Sequence, residues 1–219
     1  MSEYRITPRN KVVRGSKRAS YNVEEINAIL DDTFLCHIAY VWEGNAIVIP
    51  TAYGRVEDTI YIHGSLKNRM MTNLLEIGNA SVSVTHLDGL VLARSAFHHS
   101  ANYRSVTIFG KVHKVDDPKE KMNALACILN HMVSGHWDAI RQPNKKEFDA
   151  TLVMAIKIDS ASAKVRAEGV VDEKNDLTLP IWAGVVPIKQ IAETPISEPD
   201  LQKDIKVPET VWNYVKNNS

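Results

Sequence analysis

With 219 residues, 44% of them hydrophobic and 24% charged, the chain can bury the core of one globular domain. Its 26 Lys and Arg balance its 26 Asp and Glu, which argues against the broad basic field that non-specific nucleic-acid or membrane-surface binding needs. Cys36 and Cys127 sit in no CxxC or Cys/His spacing and no apolar run approaches the ~20 residues that span a bilayer, so a cytoplasmic protein without a metal cluster is expected.

In chain order, residues 1–20 form a basic arm, read as a strap or tail before a domain over 21–190 and a C-terminal extension over 191–219. Asn22 with Glu25 fits a capping box, and Val23, Ile26, Ile29 and Leu30 at helical spacing predict a helix over 23–31. Three runs rich in Ile, Val and Tyr follow, Phe34–Val41, Ala46–Ala52 and Thr59–His63, and predict an antiparallel meander. A helix over Leu66–Ile77, ended by Gly78-Asn79, interrupts it. Strand character returns over Ala80–Thr85, Leu90–Ala96 and Tyr103–Val115. Asp117-Pro118 then starts a helix whose apolar stripe is Leu125, Ile128, Leu129 and Met132. A half-buried strand over Thr151–Ile158 and a short terminal helix over Val207–Val215 complete the pattern. The class is mainly β with flanking helices, an α+β antiparallel barrel, closed or partly closed because closure removes exposed strand edges. No βαβ alternation, Rossmann glycine pattern, P-loop, nucleophile elbow or HExxH pair occurs.

Three segments can carry chemistry. In the first, Tyr61-Ile62-His63-Gly64-Ser65-Leu66-Lys67-Asn68-Arg69, a strand runs through a turn into a helix start. Unpaired N–H groups there attract an anion, and Ser65 with Lys67 or Arg69 completes a phosphate cradle. An ordinary capped helix with solvated cations fits the same residues equally well. The second runs from Ala93 through His98, His99, Tyr103, Arg104 and Ser105 to Gly110; adjacent histidines on a strand face opposite ways, which argues against a shared metal. In the third, Pro180–Pro187, Trp182 beside small residues suits a flat aromatic ligand or a core position.

Taken together and in this order, the YIHGS turn with Arg69, the stretch LVLARSAFHHSANYRSVTIFG and the late IWAGVVP resemble the FMN-binding split β-barrel superfamily. The branch is that of pyridoxamine 5′-phosphate oxidase-like proteins related to nitroimidazole-resistance proteins, and the resemblance spans about residues 15–190. It implies a split barrel that binds FMN, with the phosphate at His63, Gly64, Ser65, Asn68 and Arg69 and backbone along the ring at Pro50, Thr51, Ala52 and Tyr53. By the same resemblance Tyr103, Arg104 and Ser105 reach the cofactor, Trp182 closes the site, and the assembly is a homodimer with cofactor sites at its interface. The implied activity is that of a flavin-dependent oxidoreductase acting on a small molecule. A non-catalytic flavin binder, or a haem-handling relative with one exposed histidine as axial ligand, is the alternative. Where the oxidases carry an Arg-Lys pair this chain has Asn68-Arg69, and their final substrate-binding arginine motif is not recognisable. That departure weakens the case for vitamin B6 oxidation and leaves the FMN reading intact.

Overall fold

The structure, a computed structural model, describes residues 2–202 and 204–219. Among these, nine strands form one sheet in the order β3-β2-β6-β7-β8-β5-β4, with β1 added on β8 and β9 on β6. The hydrogen-bonded path ends at β3 and β4, so the sheet is antiparallel but not closed, and with five α-helices the class is the expected α+β split barrel. By its internal contacts the chain divides into two compact units.

One unit holds residues up to Leu30 with Ser83–Ile108 and Ser160–Lys189. Its helix α1 (Val23–Asp31) starts where predicted. Asn22 Oδ1 accepts from the Glu25 N–H at 2.9 Å, while the Asn22 N–H goes to Ser20 Oγ. The helix buries Ile26, Ile29 and Leu30, each stabilising the unit by about 1.5–3 kcal/mol. Strand β1 (Ala19–Ser20) pairs with β8 (Thr151–Arg166), and β9 (Gly184–Pro187) pairs with β6 (Asn79–Leu92).

Here the sequence reading needs two corrections. Ala80–Thr85 and Leu90–Ala96 are not separate strands: β6 runs through Asp88-Gly89, because Gly89 leaves room for β9, and a Cβ there would lie 2.9 Å from the Val186 carbonyl. His98 and His99 are not on a strand either. Residues Ala96–His98 form a 3₁₀ turn and β7 begins only at Ser100, running to Lys114.

The other unit holds Asp31–Val82, Phe109–Asp159 and Gln190–Ser219. Strands β2 (Leu35–Trp42) and β3 (Asn45–Ala52) form a hairpin, and β4 (Gly54–Val56), read from the sequence as turn, pairs with β5 (Thr59–Ser65). Pro50 is tolerated because β3 ends the sheet, where no further N–H is required. Helix α2 (Arg69–Ile77) begins later than predicted because Asn68 is its cap, accepting from the Met71 N–H, and it ends at Gly78 with φ 72° as expected. Helix α3 (Pro118–Met132) is capped by Asp117. Beyond the sequence reading lie α4 (Lys145–Ala150), the short strands β1 and β9, and the continuation of β8 past Ile158 to Arg166; α5 (Glu209–Asn217) sits two residues later than the expected 207–215. Ile38, Tyr53, Ile60, Ile62, Met71, Leu74, Met154 and Ile156 fill this unit's core.

Candidate functional site

In the unit with α2, strand β5 delivers His63, Gly64 and Ser65 to a turn that Asn68 and Arg69 close. Ser65 Oγ accepts from the Lys67 N–H at 3.3 Å and the Ser65 carbonyl accepts from the Asn68 N–H at 2.9 Å, so the turn holds itself in shape. A Cβ on Gly64 would come within 2.8 Å of Met71 Sδ and 3.1 Å of Asn68 Nδ2, which makes glycine the residue that lets the helix start fold back on the strand. Arg69 is exposed yet oriented: its guanidinium carbon sits 5.3 Å over the Trp42 ring and Nη2 lies 3.4 Å from the Tyr40 hydroxyl. Tyr40 and Trp42 were not among the expected site residues. Only the fold, by placing β2 beside α2, discloses them.

Pro50, Thr51 and Ala52 lie on β3, exposed or half-buried. The Thr51 carbonyl accepts from Cys36 Sγ, whose thiol burial pushes up to about 12, so it stays protonated. Tyr53 differs from its three predecessors. Its side chain is 0% exposed and packs on the His131 ring at 4.9 Å, while its N–H donates to the Phe34 carbonyl. Its side chain therefore belongs to the core.

The remaining expected residues lie in the other unit. Arg104 on β7 makes a bidentate pair with Asp88, at 3.0 and 2.9 Å. Its charge is thus largely balanced before any ligand arrives. Tyr103 is half-buried and Ser105 Oγ donates to the Lys164 carbonyl. Trp182, just before β9, is 66% exposed, with Gly184 beneath it: a Cβ there would touch the indole at 2.7 Å.

Returning to the unit with α2, the outward side of His63 borders a groove of about 320 Å³, within the ~300–1,000 Å³ typical of ligand sites. Leu125, Ile128, Leu129 and Met132 of α3 form one wall, and Trp137, Ile140 and Pro143 continue the apolar lining. His63 is itself exposed on β5, and desolvation by these neighbouring groups lowers its pKa, which favours the neutral imidazole. At the rim Arg141 forms a fork with Glu147 at 2.9 and 2.8 Å. Hydrogen bonds from Arg141, then from the Asn144 N–H, hold the Glu147 carboxyl down to about 2, so the pair stays ionised. Asn144 and Glu147 also make the capping box of α4, a sequence signal that was available. The α3 stripe was legible too, but as ordinary core.

The sequence and fold are those of a known family. The sequence profile of pyridoxamine 5′-phosphate oxidase matches residues 22–165. The chain belongs to that family. It is also 34% identical to the flavocytochrome Anf3 from Azotobacter vinelandii, covering 95% of this chain and 97% of that one with a TM-score of 0.90. With the FAD and heme binding protein from Mycobacterium smegmatis the identity is 33%, over 90% of this chain and 97% of that one, at a TM-score of 0.85. A Bacteroides thetaiotaomicron protein described as a 5-nitroimidazole antibiotic resistance protein shares the fold at 22% identity, over 67% of this chain and 86% of that one, with a TM-score of 0.58. No curated protein matches the sequence. Among the described residues no helix is long and apolar enough to cross a membrane.

Proposed function

We propose that this member of the family is a redox protein that binds a flavin and a haem. The observation that carries the reading is likeness over nearly the whole chain to two proteins, one a flavocytochrome and the other a binder of FAD and heme. The flavin in this proposal is FAD, in place of the FMN expected from the phosphate turn, because FAD is what the 33% identical protein binds. When bound, the flavin supplies one- and two-electron chemistry and the haem one-electron chemistry.

The chain's own residues fit both groups. Gly64, Ser65, Asn68 and Arg69 offer a flavin phosphate a preformed turn and one cation already aimed by Trp42 and Tyr40. Pro50, Thr51 and Ala52 offer edge-strand backbone for the ring, and Tyr103, Arg104, Ser105 and Trp182 keep the flavin-facing role that the resemblance gave them. For the haem, the groove supplies apolar walls and a single neutral imidazole, His63, the donor that ligation of iron requires. His63 thus moves, in this reading, from the flavin phosphate to the haem, and a propionate at the rim would compete with Glu147 for Arg141. Trp137 and the α3 side chains exclude water from that wall of the groove.

A homodimer belongs to the same proposal. The apolar Val106 and Ile108 of β7 do not call for it, being 1% and 0% exposed within one chain. Its support lies elsewhere, in the exposed Ile181, Trp182 and Val186 near β9 and in Leu35, Val41 and Val48 on β2 and β3. The free cysteines suit a reducing, cytoplasmic setting.

Absorption spectroscopy of the purified protein tests the reading, followed by heat release and mass identification of the flavin. Flavin bands together with a sharp Soret band, and FAD in the supernatant, are expected. A flavin spectrum that gains no Soret band on haem titration would remove the haem half, and FMN in the supernatant would restore the original assignment.

A further inference from the structure

The N-terminal arm is a built part of the protein. Asn10 is 3% exposed; its side chain accepts from Thr7 N and Oγ1 at 2.7 and 3.0 Å and donates to the carbonyls of Arg5 and Ala161 at 3.1 and 3.0 Å. The Tyr21 hydroxyl accepts from the Val12 N–H, and β1 pins the end of the arm to Lys164 and Ala163 of β8. This anchoring holds Gly15, Ser16, Lys17 and Arg18 as one wall of a cavity of about 400 Å³, which Glu168 completes.

The charges around that cavity are lopsided. Lys17 and Arg18 line it directly. Lys164 stands behind Gly15, so close that a Cβ there would lie 3.3 Å from Cε and 3.4 Å from Nζ. Beneath Glu168 lies Arg166, with its side chain 3% exposed and its Nε without a hydrogen-bond partner. Arg18 reaches Glu168 at 2.8 Å and Arg166 reaches it at 3.6 Å, so one carboxylate answers two guanidiniums and the two lysines face the same region. A guanidinium buried with an unmet N–H is costly unless an anion bears on it.

We propose that this cavity binds the diphosphate of a nucleotide, a site separate from the β5–α2 turn and the haem groove. Lys ammonium groups and the Arg18 fork suit phosphate oxygens, and Ser16 adds a hydroxyl donor. A lone phosphate would leave most of 400 Å³ empty, whereas a diphosphate with its sugar fills a cavity of that size. The diphosphate is that of a nicotinamide dinucleotide that delivers electrons, since the one diphosphate of the bound FAD is already assigned to the β5–α2 turn.

The cofactor-loaded protein is titrated with ADP, AMP and adenosine at low salt by calorimetry, alongside Lys17→Gln, Lys164→Gln, their double variant and Glu168→Gln. For a nicotinamide dinucleotide, ADP binds the loaded protein more tightly than AMP and adenosine does not bind. The double variant then weakens ADP by about ten-fold or more, Glu168→Gln tightens it, and flavin and haem content stay as in the parent. The proposal is overturned if the loaded protein takes no ADP, or if the double variant melts like the parent and leaves ADP affinity unchanged. Because flavin and haem content are read separately, failure here leaves the flavin–haem reading standing.

Discussion

The groove at α3 and the cavity at the N-terminal arm solve opposite problems of solvation. The groove at α3 is walled by Leu125, Ile128, Leu129, Met132, Trp137 and Ile140 beside one imidazole whose pKa these neighbours lower. Among the described residues the cavity at the arm has no apolar side chain in its lining, and two guanidiniums, of Arg18 and Arg166, share one carboxylate. An apolar macrocycle with one metal suits the first and repels nothing; a polyanion suits the second and would be stranded in the first. A chain with no net charge can still select ligands by charge, because the selection depends on a few side chains held in place.

Substitution can break this contrast. Leu129→Lys places an ammonium group on the apolar wall, and haem affinity is expected to fall by about 100-fold, the scale of an unpaired charge brought into an apolar site, with ADP titration unchanged. Equal losses at both cavities, measured by haem and ADP titration of the same sample, would mean a general loss of folding. Arg69→Ala is next in size. It removes a cation held by Trp42 and Tyr40, and flavin affinity is expected to drop about ten-fold, as for one charge-assisted hydrogen bond. Arg104→Ala should cost less charge attraction, because Asp88 already balances that guanidinium; a fluorescence titration that ranks the two the other way would place the phosphate near β7.

The pH profile sharpens the comparison with a smaller effect. The folded-state pKa of His63 lies below its ordinary 6.5, so the unfolded chain binds more protons in the window between them. Its contribution to stability is therefore present above about pH 6.5 and is lost as pH falls through the lowered value. Haem affinity should follow the same curve, level from pH 8 to 6.5 and declining only below, since protonation removes the lone pair. A midpoint at or above 6.5 in a haem titration series would show an imidazole that burial does not depress.

What the sequence disclosed was local. Asn22, Gly78 and Asp117-Pro118 mark helix ends because caps are made by residues within one turn of each other, and all three stand where they were read. Gly89 misled, since a glycine in a strand signals a turn or a close neighbour alike, and the neighbour is β9, nearly a hundred residues away. The turn between β5 and α2 was legible in its residues, though the orientation of Arg69 by Tyr40 and Trp42 depends on the β2–α2 contact. The groove was invisible for the same reason: the α3 stripe has one periodicity whether it faces core or ligand, and His63 becomes a neutral donor only once α3 is packed against its strand.

The central claim is that a haem occupies the groove on His63. It is tested most directly by titrating haem into the flavin-loaded parent and into His63→Ala, recording the Soret band together with the flavin bands. The parent should develop a sharp, shifted Soret band at one haem per chain, and the variant should keep its flavin yet leave the haem with the broad spectrum of the free pigment until imidazole is added. An unaltered, saturable Soret band in His63→Ala, at the parent's affinity, would contradict it.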